Sequence, residues 1–562
     1  MAALLRWRLT TFAYSRKSKY IYVIMKFRFY ILTLLTASLF ASCDKPAPEG
    51  DTKQITGYKE LLEAYDEEKA FKEVQPGAAS NVVVFEDGSK ITVPVSSFPI
   101  HDHTNTAVPT IEVVPGVLWW SVGGQMTAIK ALSTSVPKEE AEPVYVYFDK
   151  QTLYMHLSNR RVLKFNSQAL EDEADQLRRQ NLPAVHIDTN GAGIYDKKNY
   201  VDGTITIKDP GKLYSDVTEF SAAMGIRGRG NSTWSFPKKP YKVKLKEKAS
   251  IFGMGADKEW ALLANYSDRT LMRNILAMKL SELCGFSWTP HMYSVHVYLN
   301  NKYQGVYTLC EHKKVHKDRV DIDLDAGDVY LEIEQQQDET TCWWTGMGVP
   351  MMFSDPEVPS AELLAEIKKW FDDFEASLYS KDLADPQKGY AAYIDVDSFI
   401  DYYIVQELAK NTDGNLRKSS FITKKKGQKM EMYHLWDFDL TFGNSGGLLH
   451  DPEGFFIKDY TPAWSIGDNW FNRMMKDPAF VDRLQARWNE LYPQLVSMVD
   501  FIDDQAFVLE KAQALNFEVW DINESVDWVD CPSLGSYKAE VEFLKEFYSK
   551  RVEWMNDAIN KL

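Results

Sequence analysis

Cysteine is scarce: five residues among 562, at Cys43, Cys284, Cys310, Cys342 and Cys531, with no C-x-x-C pair and no Cys/His cluster. That spacing excludes a small disulfide-knit scaffold and offers no zinc site. A surplus of positive charge is also missing. Lys and Arg number 64 against 80 Asp and Glu, a formal charge of −16. This argues against sequence-blind binding to nucleic acid, because neutralising phosphates needs excess cations. Fixed-period repeats and low-complexity tracts are absent, and beyond residue 42 no run looks long and apolar enough to span a bilayer. What is plentiful is apolar material. Hydrophobic residues make up 45% of the chain and aromatics 13%, enough for an ordinary packed core. The length suggests about two to four domains, or one large domain with additions.

The charge figure blends two unlike parts. Residues 1–42 hold Arg6, Arg8, Arg16, Lys17, Lys19, Lys26 and Arg28 and no acidic residue, which leaves −23 on the remainder. From Met25, the expected true start, the chain reads MKFRFYILTLLTASLFASC: a basic start, an apolar run from Phe29 to Phe40, then small residues before Cys43. This is the layout of a secretory signal. The junction Phe40-Ala41-Ser42-Cys43 resembles a relaxed bacterial lipoprotein box in which Cys43 carries the lipid, with Phe40 where Leu is usual. The apolar run is far short of the ~20 residues a spanning helix needs. The expectation is therefore a protein of the cell envelope, lipid-anchored outside the cytoplasm, meeting the membrane only through that anchor.

Residues 43–77 read as a polar tether followed by a short acidic helix over about 58–74. Residues 78–180 carry short alternating runs punctuated by Gly and Pro, the pattern of a small all-β domain, with a hairpin turn at Asp87-Gly88. From 181 to 562 strand-like text (PAVHIDT, DGTITIKD) precedes helical periodicity in TLMRNILAMKLSEL, SAELLAEIKKWFDDFEASLY, DVDSFIDYYIVQELAKN and the C-terminal segment. Strands first and helices later indicate an α+β fold.

Two clusters in this region carry chemistry. Arg227-Gly228-Arg229-Gly230-Asn231 opens a Gly-rich turn, followed by a basic strand bearing Lys242 and Lys244 on one face and Tyr241, Val243 and Leu245 on the other. Glycines let backbone N–H groups approach an anion, and the cations supply charge-assisted bonds, so phosphate is the natural guest. A basic hairpin lying on an acidic partner is the plainer alternative. The second cluster is acidic: Asp413 within NTDGN, and Asp437 and Asp439 within WDFDLTFGN. One hairpin separates the two acidic segments, so pairing of its strands would bring them together, where carboxylates can hold Mg2+ and orient a hydroxyl. Capping of turns by the same aspartates is the alternative. Gly443-Asn444-Ser445-Gly446-Gly447 matches a nucleophile-elbow pattern but lacks a following helix, and the Asp321–Asp325 repeat has its glycine misplaced for a calcium loop.

RGRGNSTW with KKPYKVKL, GMGADKEWALLANYSDRTLMRN, VYLNNKYQGVYTLCE, NTDG and WDFDLTFGN, in that order, resemble the CotH kinase family, named for a spore-coat protein and similar in fold to atypical protein kinases. The resemblance implies a two-lobed kinase-like domain over 181–562, with ATP and Mg2+ as cofactors. It places Arg227, Gly228, Arg229, Gly230 and Asn231 over the phosphates, Lys242 or Lys244 in contact with them, and Glu311 near the connection between lobes. The helix with Arg273 and Asn274 takes the orienting position. Asp413 becomes the base for a substrate hydroxyl, and Asp437, with Asp439, the metal ligands. Many kinases have Asn five positions after the base; here Lys418 stands there, with Asn415 or Ser419 as substitutes. The implied activity is phosphoryl transfer from ATP to a hydroxyl of a secreted or surface protein. The alternative is a catalytically silent kinase-like scaffold binding envelope proteins or glycans.

Overall fold

The computed structural model describes residues 57–562 apart from 68, 78–79, 95–100, 103–109, 115–116, 123–124, 133–135, 137, 149–151, 167–180, 459–467 and 525–530. Met25, the leader and Cys43 lie outside the described residues. Among the described residues no helix is long and apolar enough to cross a membrane.

The acidic helix is shorter than its sequence suggests. It spans Tyr58–Asp66, and Phe71–Gln75 is instead a strand paired antiparallel with Ser80–Phe85. Burial decides this: Phe71 is 1% exposed, packed with Tyr58, Leu61, Val83 and Phe85, and tertiary packing outweighs the helix preference of EEKAFKEV. The hairpin at Asp87-Gly88 forms as expected. Gly88 takes φ +83°, Asp87 Oδ1 accepts the Ser89 N–H at 2.8 Å, and Ser80–Phe85 pairs with Lys90–Pro94. Further strands up to Val162–Asn166 build two more small antiparallel-dominated sheets.

The next seven strands close into a barrel. They are β1 (Ala184–Asp188), β2 (Val201–Lys208), β3 (Glu219–Gly228), β4 (Tyr241–Ala249), β5 (Asp257–Leu263), β6 (Met292–Leu299) and β7 (Lys302–Glu311), in spatial order β1-β2-β3-β4-β5-β7-β6. Parallel pairing of β1 with β6 completes the closure. Alternation drives it: Ile205, Ile207, Val243, Leu245, Val295 and Val297 point inward into one core, while Lys242 and Lys244 face outward as their spacing predicts. Asn300 and Asn301 between β6 and β7 have φ +49° and +62°, the paired left-handed geometry of a tight hairpin turn.

Helix α1 (Arg273–Cys284) packs on the outside of this barrel, where Leu276 and Leu280 join Met292, Val306 and Cys310 in a second, larger core. That core continues through a five-stranded sheet in order β9-β10-β8-β11-β12, formed by β8 (Val329–Ile333), β9 (Cys342–Trp344), β10 (Pro350–Asp355), β11 (Ser420–Lys424) and β12 (Met430–His434). Around it lie α2 (Ala361–Leu378), α3 (Val396–Ala409), α4 (Pro478–Val519) and α5 (Tyr537–Ile559). Each starts at a Ser or Asp whose side chain accepts a first-turn N–H: Ser360, Asp395, Asp477 and Ser536 respectively. Between α3 and α5 runs a fully buried ion pair, Glu407 Oε1 to Arg551 at 2.7 Å.

The longest helix is not foreshadowed by the sequence pattern. α4 runs 42 residues with Pro493 inside it, and a proline within an apolar pattern normally signals an end. Its far end docks on the barrel. Asn516 Oδ1 accepts from Val306 N–H at 3.0 Å and from the Lys238 ammonium at 2.9 Å, and Trp520 Nε1 donates to Gln304 C=O at 2.8 Å. Gly305, at φ +101°, allows this approach, since a Cβ there would sit 2.6 Å from Asn516 Oδ1. Lys238 is 1% exposed, and burial pushes its pKa well below the usual lysine range.

Candidate functional site

The Gly-rich turn joins β3 to β4 and is folded back on itself. The Trp234 ring lies where a Cβ on Gly228 would be, at 2.5 Å, and Gly230 has φ +78°. Arg229 N–H donates to Pro240 C=O at 3.2 Å and Gly228 N–H to Asp196 C=O at 2.9 Å. The next four backbone N–H groups, Gly230 to Thr233, make no hydrogen bond to any described residue. Three of them, Asn231 to Thr233, are the cap and first positions of a short 3-10 helix, Ser232–Ser235, whose leading N–H groups have no partner within the helix. Arg227 lies over the Tyr200 ring at 5.2 Å, and its guanidinium donates to Lys197 C=O. On β4 Lys242 and Lys244 share Glu259 of β5, at 2.9 and 3.5 Å, and Lys242 is the enclosed one, 12% exposed against 50%. Burial lowers the Lys242 pKa, opposed by Glu259. His312, just after β7, is held neutral by burial, with Lys242 and Arg229 adding to the effect.

The acidic residues stand opposite, on two loops joined by the β11–β12 hairpin. Asp413 follows α3, and its carbonyl accepts the N–H groups of Arg417 at 3.3 Å and Lys418 at 2.9 Å. Its neighbour Gly414 lies against Gln406, whose Oε1 a Cβ there would meet at 2.0 Å. Burial raises the Asp413 pKa; Lys418 opposes and Asp437 reinforces the shift. Asp439 is pushed up to about 7, by burial first and Asp437 second, while a hydrogen bond from the Ser267 hydroxyl works the other way. Strain concentrates here. Leu416, Ser419, Asp437 and Phe442 have φ of +54°, +46°, +67° and +49°, conformations that cost side chains energy and persist when surroundings over-determine them.

The loop that holds Asp437 and Phe442 is anchored by α1 and the segment before it. Arg273, 1% exposed, donates from Nε to Thr441 C=O at 2.9 Å and from Nη1 to Asp268 Oδ1 at 2.6 Å. Asn274 Oδ1 accepts Phe438 N–H at 2.7 Å, and Asn444 Nδ2 donates to the carbonyls of Ser267 at 2.8 Å and Asp439 at 2.6 Å. The Asp437–Asp439 loop is thereby gripped on both sides.

One side chain bridges turn and acids. The Arg229 guanidinium sits over the Trp436 ring at 5.6 Å. Burial lowers its pKa, while Asp437 and Asp439 are among the charges that favour its cationic form. The structure thus brings Arg229, Asp413, Asp437 and Asp439 into one electrostatic neighbourhood, with Lys242 on its barrel side through His312. Glu311 is engaged elsewhere: its carboxylate accepts from His291 N–H and faces His291 Nδ1, both at 3.0 Å, and approaches Arg319 at 3.9 Å. Asn415 Oδ1 accepts from Asn469 Nδ2 at 3.0 Å. Sequence reasoning missed the Lys313–Glu332 pair and Glu334. Glu332 feels Asp437, and burial pushes Glu334 up to about 7, with Lys418 and Asp413 among its neighbours. Two carboxylates at alternate positions of an otherwise apolar strand, YLEIE, were the available signal.

Among the described residues no three His, Cys, Asp or Glu side chains gather closely enough to hold a metal alone. Mg2+ in phosphoryl-transfer sites needs only one or two carboxylates, the rest of its shell coming from phosphates and water, so Asp437 and Asp439 suit it. No curated protein matches the chain. The family model described as CotH kinase protein matches residues 226–555, more than half of the chain, from the Gly-rich turn through the acidic loops and into the last helix. The chain therefore belongs to the CotH kinase family.

Proposed function

We propose that the protein is an atypical kinase of the cell envelope that transfers the γ-phosphoryl of ATP to a hydroxyl of a secreted or surface protein. In this reading the barrel and the helical half act as the two lobes. The observation that supports it is the Arg229 guanidinium of the Gly-rich turn lying over Trp436 and feeling the charges of Asp437 and Asp439. The amides of residues 230–233 would hold phosphate oxygens, Arg229 would offset their charge, and Asp437 with Asp439 would hold Mg2+. Bound ATP would supply the phosphoryl group and Mg2+ would neutralise its charge. Asp413, its pKa raised by burial, accepts the proton of the acceptor hydroxyl, since a base titrating nearer neutrality is better matched to that task. Arg273 and Asn274 keep the acidic loop in register. Lipidation at Cys43 would place the domain where secreted acceptors pass.

Lys418 supports a second reading. Its charge acts on Asp413 and would compete with Mg2+, as in a silent scaffold. The two are separated by Mg2+-dependent ATP binding and autophosphorylation of the full chain, with Asp413→Ala and Asp437→Ala beside it. Label on wild type that both variants lose supports the kinase; a wild type that neither binds ATP nor labels itself leaves the scaffold. Release of the protein from membranes by Cys43→Ser tests the anchor.

A further inference from the structure

The segment 451–457, just beyond the acidic loop, is held through its backbone by three charged side chains. The Glu407 carboxylate accepts Phe456 N–H at 2.5 Å and Ile457 N–H at 2.8 Å. Arg551 donates from Nη1 to the carbonyls of Pro452 at 2.9 Å and Gly454 at 2.7 Å. The Lys410 ammonium donates to Asp451 C=O at 2.7 Å and to Glu453 C=O. All three side chains are buried, Glu407 and Arg551 at 0% exposed and Lys410 at 5%. Glu407 and Lys410 stand at the C-terminal end of α3, where the chain turns towards Asp413. Lys410 makes that turn itself, in left-handed backbone at φ +46°. Beyond it Asn411 Oδ1 accepts Asp413 N–H at 3.0 Å, and Ala409 C=O accepts Phe442 N–H at 2.9 Å. One helix end thus joins the loops of Asp413 and Asp437 to the segment 451–457.

Stability alone does not account for Lys410. Glycine is the usual residue at a left-handed helix end, and any other side chain there costs energy. Lys410 and Arg551 also place two buried cations beside one buried carboxylate, and desolvating a surplus charge is unfavourable. Burial pushes the Lys410 pKa down to about 8, with Arg551 adding to the effect and Glu407, Asp451 and Glu453 opposing it. We infer that Lys410 is a positioning residue for Asp413, its ammonium tying the turn that leads to the base to the segment beyond the Asp437 loop. The inference deepens the kinase reading proposed above and rests on it. With the tie cut, the turn relaxes independently of 451–457, and Asp413 loses its fixed placement against the acceptor hydroxyl. Misplacement by about 1 Å can cost on the order of 100-fold in rate.

The test uses the full chain and two readouts, autophosphorylation kinetics with Mg·ATP and hydrogen exchange followed by mass spectrometry. Lys410→Gly removes the side chain at a backbone angle that suits glycine. Lys410→Asn keeps a short polar side chain that tolerates the same angle, and Lys550→Ala, at the surface of α5, is the control. For both Lys410 variants kcat is expected to fall at least about tenfold while KM for ATP stays within about threefold. Amides of 411–418 as well as 451–458 are expected to exchange faster, and Lys550→Ala should match wild type throughout. Unchanged kcat in the Lys410 variants, or faster exchange confined to 451–458, overturns the inference and leaves the kinase reading standing. Faster exchange in the barrel strands β3 and β4 as well would make Lys410 a structural residue and also refute the assignment. If wild type neither binds ATP nor labels itself, the kinase reading falls, and exchange alone decides: unchanged protection of 411–418 overturns the positioning role, and lost protection supports it.

Discussion

Replacing Arg273 with Met should damage the protein more than almost any other single change near the site. Arg273 and Asp268 are each 1% exposed and their charged atoms lie 2.6 Å apart. Removing one partner of such a pair leaves a buried charge uncompensated, at a cost of about 3–5 kcal/mol. Asp268 would still accept from Thr270 N–H at 3.0 Å and Thr270 Oγ at 2.6 Å, which favours the lower end. Thr441 C=O loses its donor as well. At about 2 °C per kcal/mol for a large domain, the transition should fall by roughly 6–10 °C in a thermal melt followed by tryptophan fluorescence. The double variant Asp268→Asn, Arg273→Met removes both charges and should recover part of this loss, because the penalty belongs to the orphaned carboxylate rather than to a missing attraction. A melt within about 2 °C of wild type for Arg273→Met, or a double variant destabilised by the full sum of the singles, would refute this account of the loop anchor.

Other outcomes follow from the same geometry. Asp439 has a folded-state pKa of about 7, above its unfolded value, so its contribution to stability is complete in acid, below the ordinary carboxylate range, and is lost as pH rises from there through 7. Asp439→Asn should therefore raise the melting temperature relative to wild type at about pH 8 and leave it nearly unchanged at about pH 4; the reverse order would contradict the burial argument. Gly228→Ala forces a methyl into the Trp234 ring at 2.5 Å, and displacement of the turn should destabilise the chain by about 1–3 kcal/mol, measurable as a lower denaturation midpoint. Trp343 and Trp344 are adjacent but unequal, 8% and 54% exposed. Trp343→Ala should cost about 3–5 kcal/mol and Trp344→Ala within about 0.5 kcal/mol in the same melt.

What could be read from the sequence was local. The Asp87-Gly88 turn and the alternation of Lys242 and Lys244 against Val243 and Leu245 both lie within a few residues of what they control. The proximity of Asp413 to Asp437 was legible for the same reason: one short hairpin, Ser420 to His434, connects their loops. Errors arose where tertiary contact overrides local preference. Phe71 sits in a helix-forming string yet belongs to a strand, because its ring is needed in the core. Pro493 looks like a terminus, yet Trp488, Leu491, Leu495 and Met498 on either side share one buried stripe that carries the helix through it. The Lys313–Glu332 pair carries no pattern of its own. Its members stand 19 residues apart, and only the folded chain brings them together.

The barrel also governs where this protein can be cut. The segment shared with the family begins at residue 226, inside β3, whereas β1 and β2 end at Lys208. A fragment trimmed to that boundary would discard two of seven strands and most of a third, leaving β4 paired on that side only with Ile226–Gly228 and β6 without its partner from His296 to Leu299. Open edges of that kind invite pairing between copies. The fragment is expected to aggregate, while one beginning near residue 181 keeps the ring intact. For this chain the smallest soluble unit is set by hydrogen-bond closure and extends upstream of the stretch that identifies its kinship.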